Sequence, residues 1–189
     1  MRLETTINDP SGYRVYRTKE GEPADAPKSW QQLRKGVADL GRRAEVSQAC
    51  NQRLAESLAT VAEAAPLGKL LEPLSKPVRD PAGRRHRALN PSAGPDGALL
   101  RAVAHGEFLL NGFRNRDLRK LLCPATTEAR ERRRQAAALT RKLALLRAHG
   151  LIVKIQKTHR YRLSAEGQRV TTALRAAYEA DVKRLSEAA

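Results

Sequence analysis

The stretch RRRQAAALTRKLALLRAHGLIVKIQKTHRYRLSAEG, Arg132 to Gly167, decides how the chain is read. It begins on a helical period, stops at a glycine, changes to strand alternation, turns on a basic tip and restarts as a helix. At about 3.6 residues per turn, Ala136, Leu139, Leu143 and Leu146 share one face, suited to a core. Arg130, Arg133, Arg134, Ala137, Thr140 and Arg141 gather on the opposite face. Gly150 suits the position just past a helix end. Leu151–Ile155 and Arg160–Leu163 alternate like strands around the basic turn Gln156-Lys157-Thr158-His159, and Ser164 is placed to cap a further helix. No Asp or Glu occurs from Arg132 through Ala165, whereas a merely solvated helix face interleaves Glu with Lys and Arg.

Working outward, Asp96 is expected to cap a helix through Leu99, Leu100, Val103 and Ala104. HGEFLLNGF then supplies a glycine, an apolar trio and an Asn-Gly turn. Asn115 opens a short helix, Arg116 to Leu122, with Leu118, Leu121 and Leu122 inward and Cys123-Pro124 as its stop. Thr126 or Thr127 is expected to cap the long helix, and Glu128 and Glu131 suit its positive end. The last helix is expected to run to about Leu185 through Val170, Ala173, Leu174, Ala177, Tyr178, Val182 and Leu185.

Helix, short helix, long helix, two-stranded hairpin, helix is an order that resembles the winged helix-turn-helix. NGFRNRDLRKLL (111–122), RRRQAAALTRKLALLRAHGLI (132–152) and VKIQKTHRYRLSAEGQRV (153–170) carry it. The pattern L-x-x-HGLI…YRLSAEG resembles bacterial regulators of the MarR and ArsR kind over roughly residues 97–180. The resemblance implies binding of double-stranded DNA, either as a transcriptional regulator or as the DNA-targeting part of a mobile-element protein. The long helix would enter the major groove, with Arg133, Arg134, Thr140 and Arg141 at base edges and Ala137 allowing close approach. Arg114, Arg116, Arg119, Arg130, Lys154, Lys157, His159 and Arg160 would meet phosphates, although His159 serves equally well as a plain turn residue. Paired half-sites would suit a homodimer, with the last helix as its seam or simply as core.

Charge points the same way. The chain has 189 residues and a net charge of +16, with pI about 10.7. Gly97–Ala189 holds 20 Lys and Arg against 8 Asp and Glu, giving +12; residues 1–96 hold 16 against 12, giving +4. An excess concentrated in one half favours a polyanionic partner over general use of Arg as a solubiliser. One Trp, two Phe and four Tyr are too few for a base-stacking platform, which argues against single strands and RNA.

The remaining segments are less specific. RLETTIN (2–8) and YRVYR (13–17) alternate as strands around the turn cluster NDPSG. With no further strand expected before residue 151, they suggest the end of a sheet: either the tail of a longer protein or a chain that pairs with another. Residues 29–65 read as helix, Ser29 capping with Gln32 at the capping-box position, and Trp30, Leu33, Val37, Leu40, Ala44, Leu54, Leu58, Val61 and Ala65 as its stripe. That stripe suits packing within its own domain, or a dimer seam with Asn51 fixing register. Residues 66–96 hold six of the ten prolines and the run GRRHR (83–87), which is a phosphate-touching arm or a solvated charge run.

The expected protein is thus mostly α, divided into a strand remnant and loop (1–28), a helical region (29–65), a Pro-rich basic linker (66–96) and a winged-helix domain (97–189). RLETTINDP…YRVYR with KSWQQLRKGVADL and NGFRNRDLRKLL is also similar to the C-terminal part of longer uncharacterised bacterial proteins, some linked to mobile elements. In that light the chain would be a non-catalytic fragment acting as a protein-interaction module.

GxxxxGK[ST], HExxH, GxSxG and a DDE-like arrangement are absent from the sequence, so no enzymatic activity is expected. Cys50 and Cys123 are isolated, with no four-ligand zinc pattern; neither metal nor cofactor is expected. No uncharged apolar run of about 18 residues exists, so no membrane span is expected. The N-terminus lacks the apolar core of a signal peptide, and the expected location is cytoplasmic.

Overall fold

The computed structural model describes residues 4–59, 66–156 and 158–180. The chain forms two compact units, Met1–Ala55 and Glu56–Ala189. It is mostly helical, with short two-stranded antiparallel sheets.

In the first unit, β1 (Arg14–Arg17) pairs antiparallel with β2 (Ser29–Gln32), followed by the larger part of α1 (Leu40–Ala59), whose last residues, from Glu56, fall in the second unit. This corrects the expected helix from Ser29. Trp30 lies opposite Tyr16 in the ladder, with ring centroids 5.4 Å apart, a cross-strand pair that a helix would forfeit. Gln31 donates to Ser29 Oγ, so no capping box forms there. The partner of β1 is therefore β2 rather than the Glu4–Ile7 segment, whose described residues lie outside any strand.

Asp39 pins the loop before α1. Its carboxylate accepts from the Arg34 amide at 2.9 Å and lies 3.3 Å from Arg34 Nη2 and from Arg17 Nε. Burial would push this carboxyl up, but the Arg34 hydrogen bonds and the two guanidinium charges outweigh burial and hold it below the usual range. α1 buries Val46 and Cys50, and Leu33 in the preceding loop is buried as well; Leu40 and Ala44 of the expected stripe are exposed. Asn51 accepts a hydrogen bond from Thr5. The side chain of Leu58, and Val61 and Ala65, lie outside the described residues.

Beyond α1, the second unit holds α2 (Leu67–Leu71), a 3₁₀ turn (Glu72–Ser75) and a hairpin of β3 (Val78–Arg79) and β4 (Arg85–His86). Then come α3 (Gly94–Val103), α4 (Phe108–Asn111), α5 (Asn115–Leu122), α6 (Ala129–Ala148), β5 (Ile152–Lys154), β6 (Tyr161–Leu163) and α7 (Ala165–Glu179). One core joins Leu74 and Leu89 to Leu99, Val103, Leu118, Leu139, Leu146, Leu151 and Val170. The segment expected to be a linker is thus built into the second unit. Its prolines stop any long helix, yet leave room for a short one, a turn and a hairpin. Leu89 donates its amide to Leu74 at 2.8 Å, and each side chain is only 3% exposed; burying a leucine contributes about 1.5–3 kcal/mol.

Asp96 is not the cap of α3. Ala93 holds that position, and Asp96 in the first turn turns its carboxylate to Arg87 at 2.6 and 2.7 Å and to the Asn90 amide at 3.0 Å. Likewise Glu128, rather than a threonine, precedes α6, while Thr126 Oγ1 accepts from the Glu128 amide. Ser164 does cap α7, accepting from the Gly167 amide at 2.9 Å. α7 ends at Glu179, with Ala180 extended, short of the expected end near Leu185; Val182 and Leu185 themselves lie outside the described residues.

Candidate nucleic-acid interface

α6 is positioned by its buried edge. Leu139, Leu143 and Leu146 enter the core, and Gln135 closes the α5–α6 connection by donating to the Pro124 carbonyl at 3.2 Å. The opposite edge is open: Arg130, Arg133, Arg134, Ala137, Thr140 and Arg141 are all exposed. Ala144 and Arg147 continue this face toward the helix end and are exposed as well. Arg147 was available from the same helical spacing, seven residues beyond Thr140.

These side chains are not equally available. Arg133 and Arg141 have no ion pair among the described residues. Arg134 is held by Glu131, Nε to Oε2 at 2.9 Å, on an exposed surface. The Thr140 hydroxyl donates to the Ala136 carbonyl at 2.9 Å and accepts from Asn115 Nδ2 at 3.0 Å. Asn115 also donates to that carbonyl at 2.8 Å, so Thr140 locks the start of α5 onto α6.

The residues expected at phosphates divide similarly. Arg116 is exposed on the first turn of α5, 3.6 Å from Asp117, which also accepts from the Arg114 amide at 2.8 Å. Arg114 is half-buried at the helix entry. Arg119, with Lys120 and Arg132, walls a cavity of about 280 Å³ at the α5–α6 turn whose lining includes no carboxylate. Lys120 and Arg132 therefore join the basic surface, an arrangement that needs the turn geometry to be seen.

The β5–β6 hairpin stands beside this surface. It pairs Ile152 with Leu163 and Lys154 with Tyr161. Tyr161 forms a further antiparallel bridge with Phe113, their amides and carbonyls exchanging hydrogen bonds at 2.8 Å in both directions. Phe113 is fully buried against Tyr161, 6.1 Å between ring centroids. Phe113, two residues before α5, thereby acts as a third strand and fixes the hairpin to the helices. Lys154, His159 and Arg162 are exposed. Arg160 is half-buried and donates to the Asn111 carbonyl at 3.0 Å, tying the hairpin tip to the end of α4. Lys157 lies outside the described residues.

Comparison of the chain with family models, with curated proteins and with solved structures finds no match. Among the described residues no helix is long and apolar enough to cross a membrane.

Proposed function

We propose that the second unit is a winged helix-turn-helix that binds double-stranded DNA, as a transcriptional regulator or as the targeting part of a larger system. The observation that carries this reading is the outward face of α6: an open row of arginines and alanines, with Glu131 paired to Arg134 at its edge. A helix fits the major groove, arginine is matched to guanine O6 and N7, and alanines let the backbone approach. Support comes from the Phe113–Tyr161 bridge, which supplies the extra strand a wing needs to be held beside such a helix.

In this reading Arg133 and Arg141 read bases, while Arg130, Arg116, Lys154 and Arg162 meet phosphates. Thr140 and Arg160 act as positioning residues. Arg134 contributes less than its neighbours, because a DNA contact must first displace Glu131.

The test is a titration of the full chain with mixed-sequence duplexes across a salt series. Each neutralised phosphate contributes about −0.9 to the slope of log K against log salt, so four or more contacts give a slope of about −4 or steeper. Arg133→Ala or Arg141→Ala is expected to cost about 1–3 kcal/mol on the preferred sequence and to relax that preference, with Arg134→Ala costing less. No detectable binding at low salt, or an affinity indifferent to salt, would overturn the reading.

A further inference from the structure

GRRHR is not a loose arm. It supplies the end of the turn and, with Arg85 and His86, the return strand of the β3–β4 hairpin, and that turn is organised by one carboxylate. Asp80 Oδ1 accepts from the Ala82 and Arg84 amides, both at 3.0 Å, and Oδ2 lies 3.0 Å from His86 Nε2. The Asp80 amide donates to the Arg84 carbonyl at 3.0 Å, and Arg79 Nη1 donates to the Gly83 carbonyl at 2.9 Å. The hydrogen bond from His86, with those amides, holds the Asp80 carboxyl below its usual range, so the loop keeps its internal acceptor through neutral pH.

The base of the hairpin is fixed just as firmly. Arg87, one residue past β4, grips Asp96 of α3 with two hydrogen bonds. The Arg87 carbonyl is 2.9 Å from His149 Nε2, at the C-terminal end of α6. β5 begins three residues beyond His149, so both basic hairpins are rooted at the same end of this helix. Asp80 faces its own loop and Asp96 is spoken for by Arg87. Arg84 and Arg85 are exposed and have no ion pair among the described residues.

From this geometry we infer that the β3–β4 hairpin is a second wing, whose Arg84 and Arg85 grip backbone phosphates of duplex DNA flanking the segment met by α6. The inference rests on the DNA-binding reading above. A tip already ordered by Asp80 loses little conformational entropy on binding, so two cations there act as a preformed clamp. Two-residue strands offer no side-chain pocket for a base, so the contact strengthens all sequences alike.

The experiment compares the full-length protein with Arg84→Ala/Arg85→Ala and Arg84→Lys/Arg85→Lys on one mixed-sequence duplex over a salt series, with thermal melts of all three. The alanine pair is expected to make the slope shallower by about 1.8, two contacts at about 0.9 each, without changing preference among sequences; the lysine pair keeps the slope. If the wild type binds with a steep slope and the alanine pair keeps it, the second wing is overturned while the DNA reading stands. If the wild type shows no salt-dependent binding, both fall. If the alanine pair melts early, acetylation of the lysine pair decides. Protection of Lys at 84 and 85 by duplex supports the clamp, and equal reactivity with and without duplex overturns it.

Discussion

Gly167 sits in the first turn of α7, where a side chain would run into the backbone of the chain entering β5. A Cβ built there would overlap the Leu151 carbonyl oxygen and come 2.9 Å from its carbon. Backbone cannot swing aside like the tip of a lysine, so the methyl group must separate α7 from the strand. Gly167→Ala is therefore expected to destabilise the second unit by about 2 kcal/mol or more in a denaturant titration. Gly106→Ala, where a Cβ meets nothing within 4 Å, is expected to change stability little and serves as the control. Gly112 is constrained twice over, by φ 64° and by the Tyr161 carbonyl, which lies where a Cβ would be. The sequence shows that glycines stand at 112 and 167. It does not show that Leu151 and Tyr161 bring their carbonyls there, because those approaches are tertiary.

Between elements, the Arg87–Asp96 pair joins the β3–β4 hairpin to α3 and carries a pH signature. The Arg87 hydrogen bonds, with the Asn90 amide and the nearby Lys142 charge, hold the Asp96 carboxyl below its ordinary value of 3.8 despite burial. A carboxyl lowered in the folded state stabilises fully above its unfolded pKa and loses that contribution as pH falls through the folded one. Melting temperature is thus expected to drop as pH is lowered from about 5 toward and below the ordinary carboxylate value, and Asp96→Asn is expected to flatten part of that drop. At neutral pH the same substitution is expected to cost about 1.5–3 kcal/mol, the range for a hydrogen bond to a charged group, toward the low end because Arg87 is half exposed.

The elements themselves were legible to different degrees. α6, β5, β6 and α7 are written in local periods and adjacent stop and start residues, Gly150 and Ser164, and the structure places them accordingly. Trp30, Leu33, Val37 and Leu40 fit a helical spacing as well as they fit a strand followed by a loop. What decides between them is Tyr16, fourteen residues upstream of Trp30, and no local pattern contains that information. β3 and β4 have two residues each, too short to show alternation at all.

For the molecule as a whole, charge was the most legible property and its disposition the least. The excess of the C-terminal half and the carboxylate-free run from Arg132 to Ala165 are read directly. That Arg160 bonds the Asn111 carbonyl, that Glu131 occupies Arg134, and that Arg84 and Arg85 stand on a turn hydrogen-bonded to Asp80 all depend on folding. The junction at Ser164 also bears on how the second unit acquires its structure in time. Ser164 Oγ donates to the Gly150 carbonyl across a separation of 14 residues, closing a loop whose entropy cost is small. The α2 segment, by contrast, packs against α7, far along the chain. Sequence-near contacts assemble first, so the segment from α5 through α7 is expected to form the nucleus and the α2–β4 segment to dock after the rate-limiting step. In stopped-flow kinetics Leu146→Ala should chiefly slow refolding, whereas Leu74→Ala should leave refolding nearly unchanged and hasten unfolding.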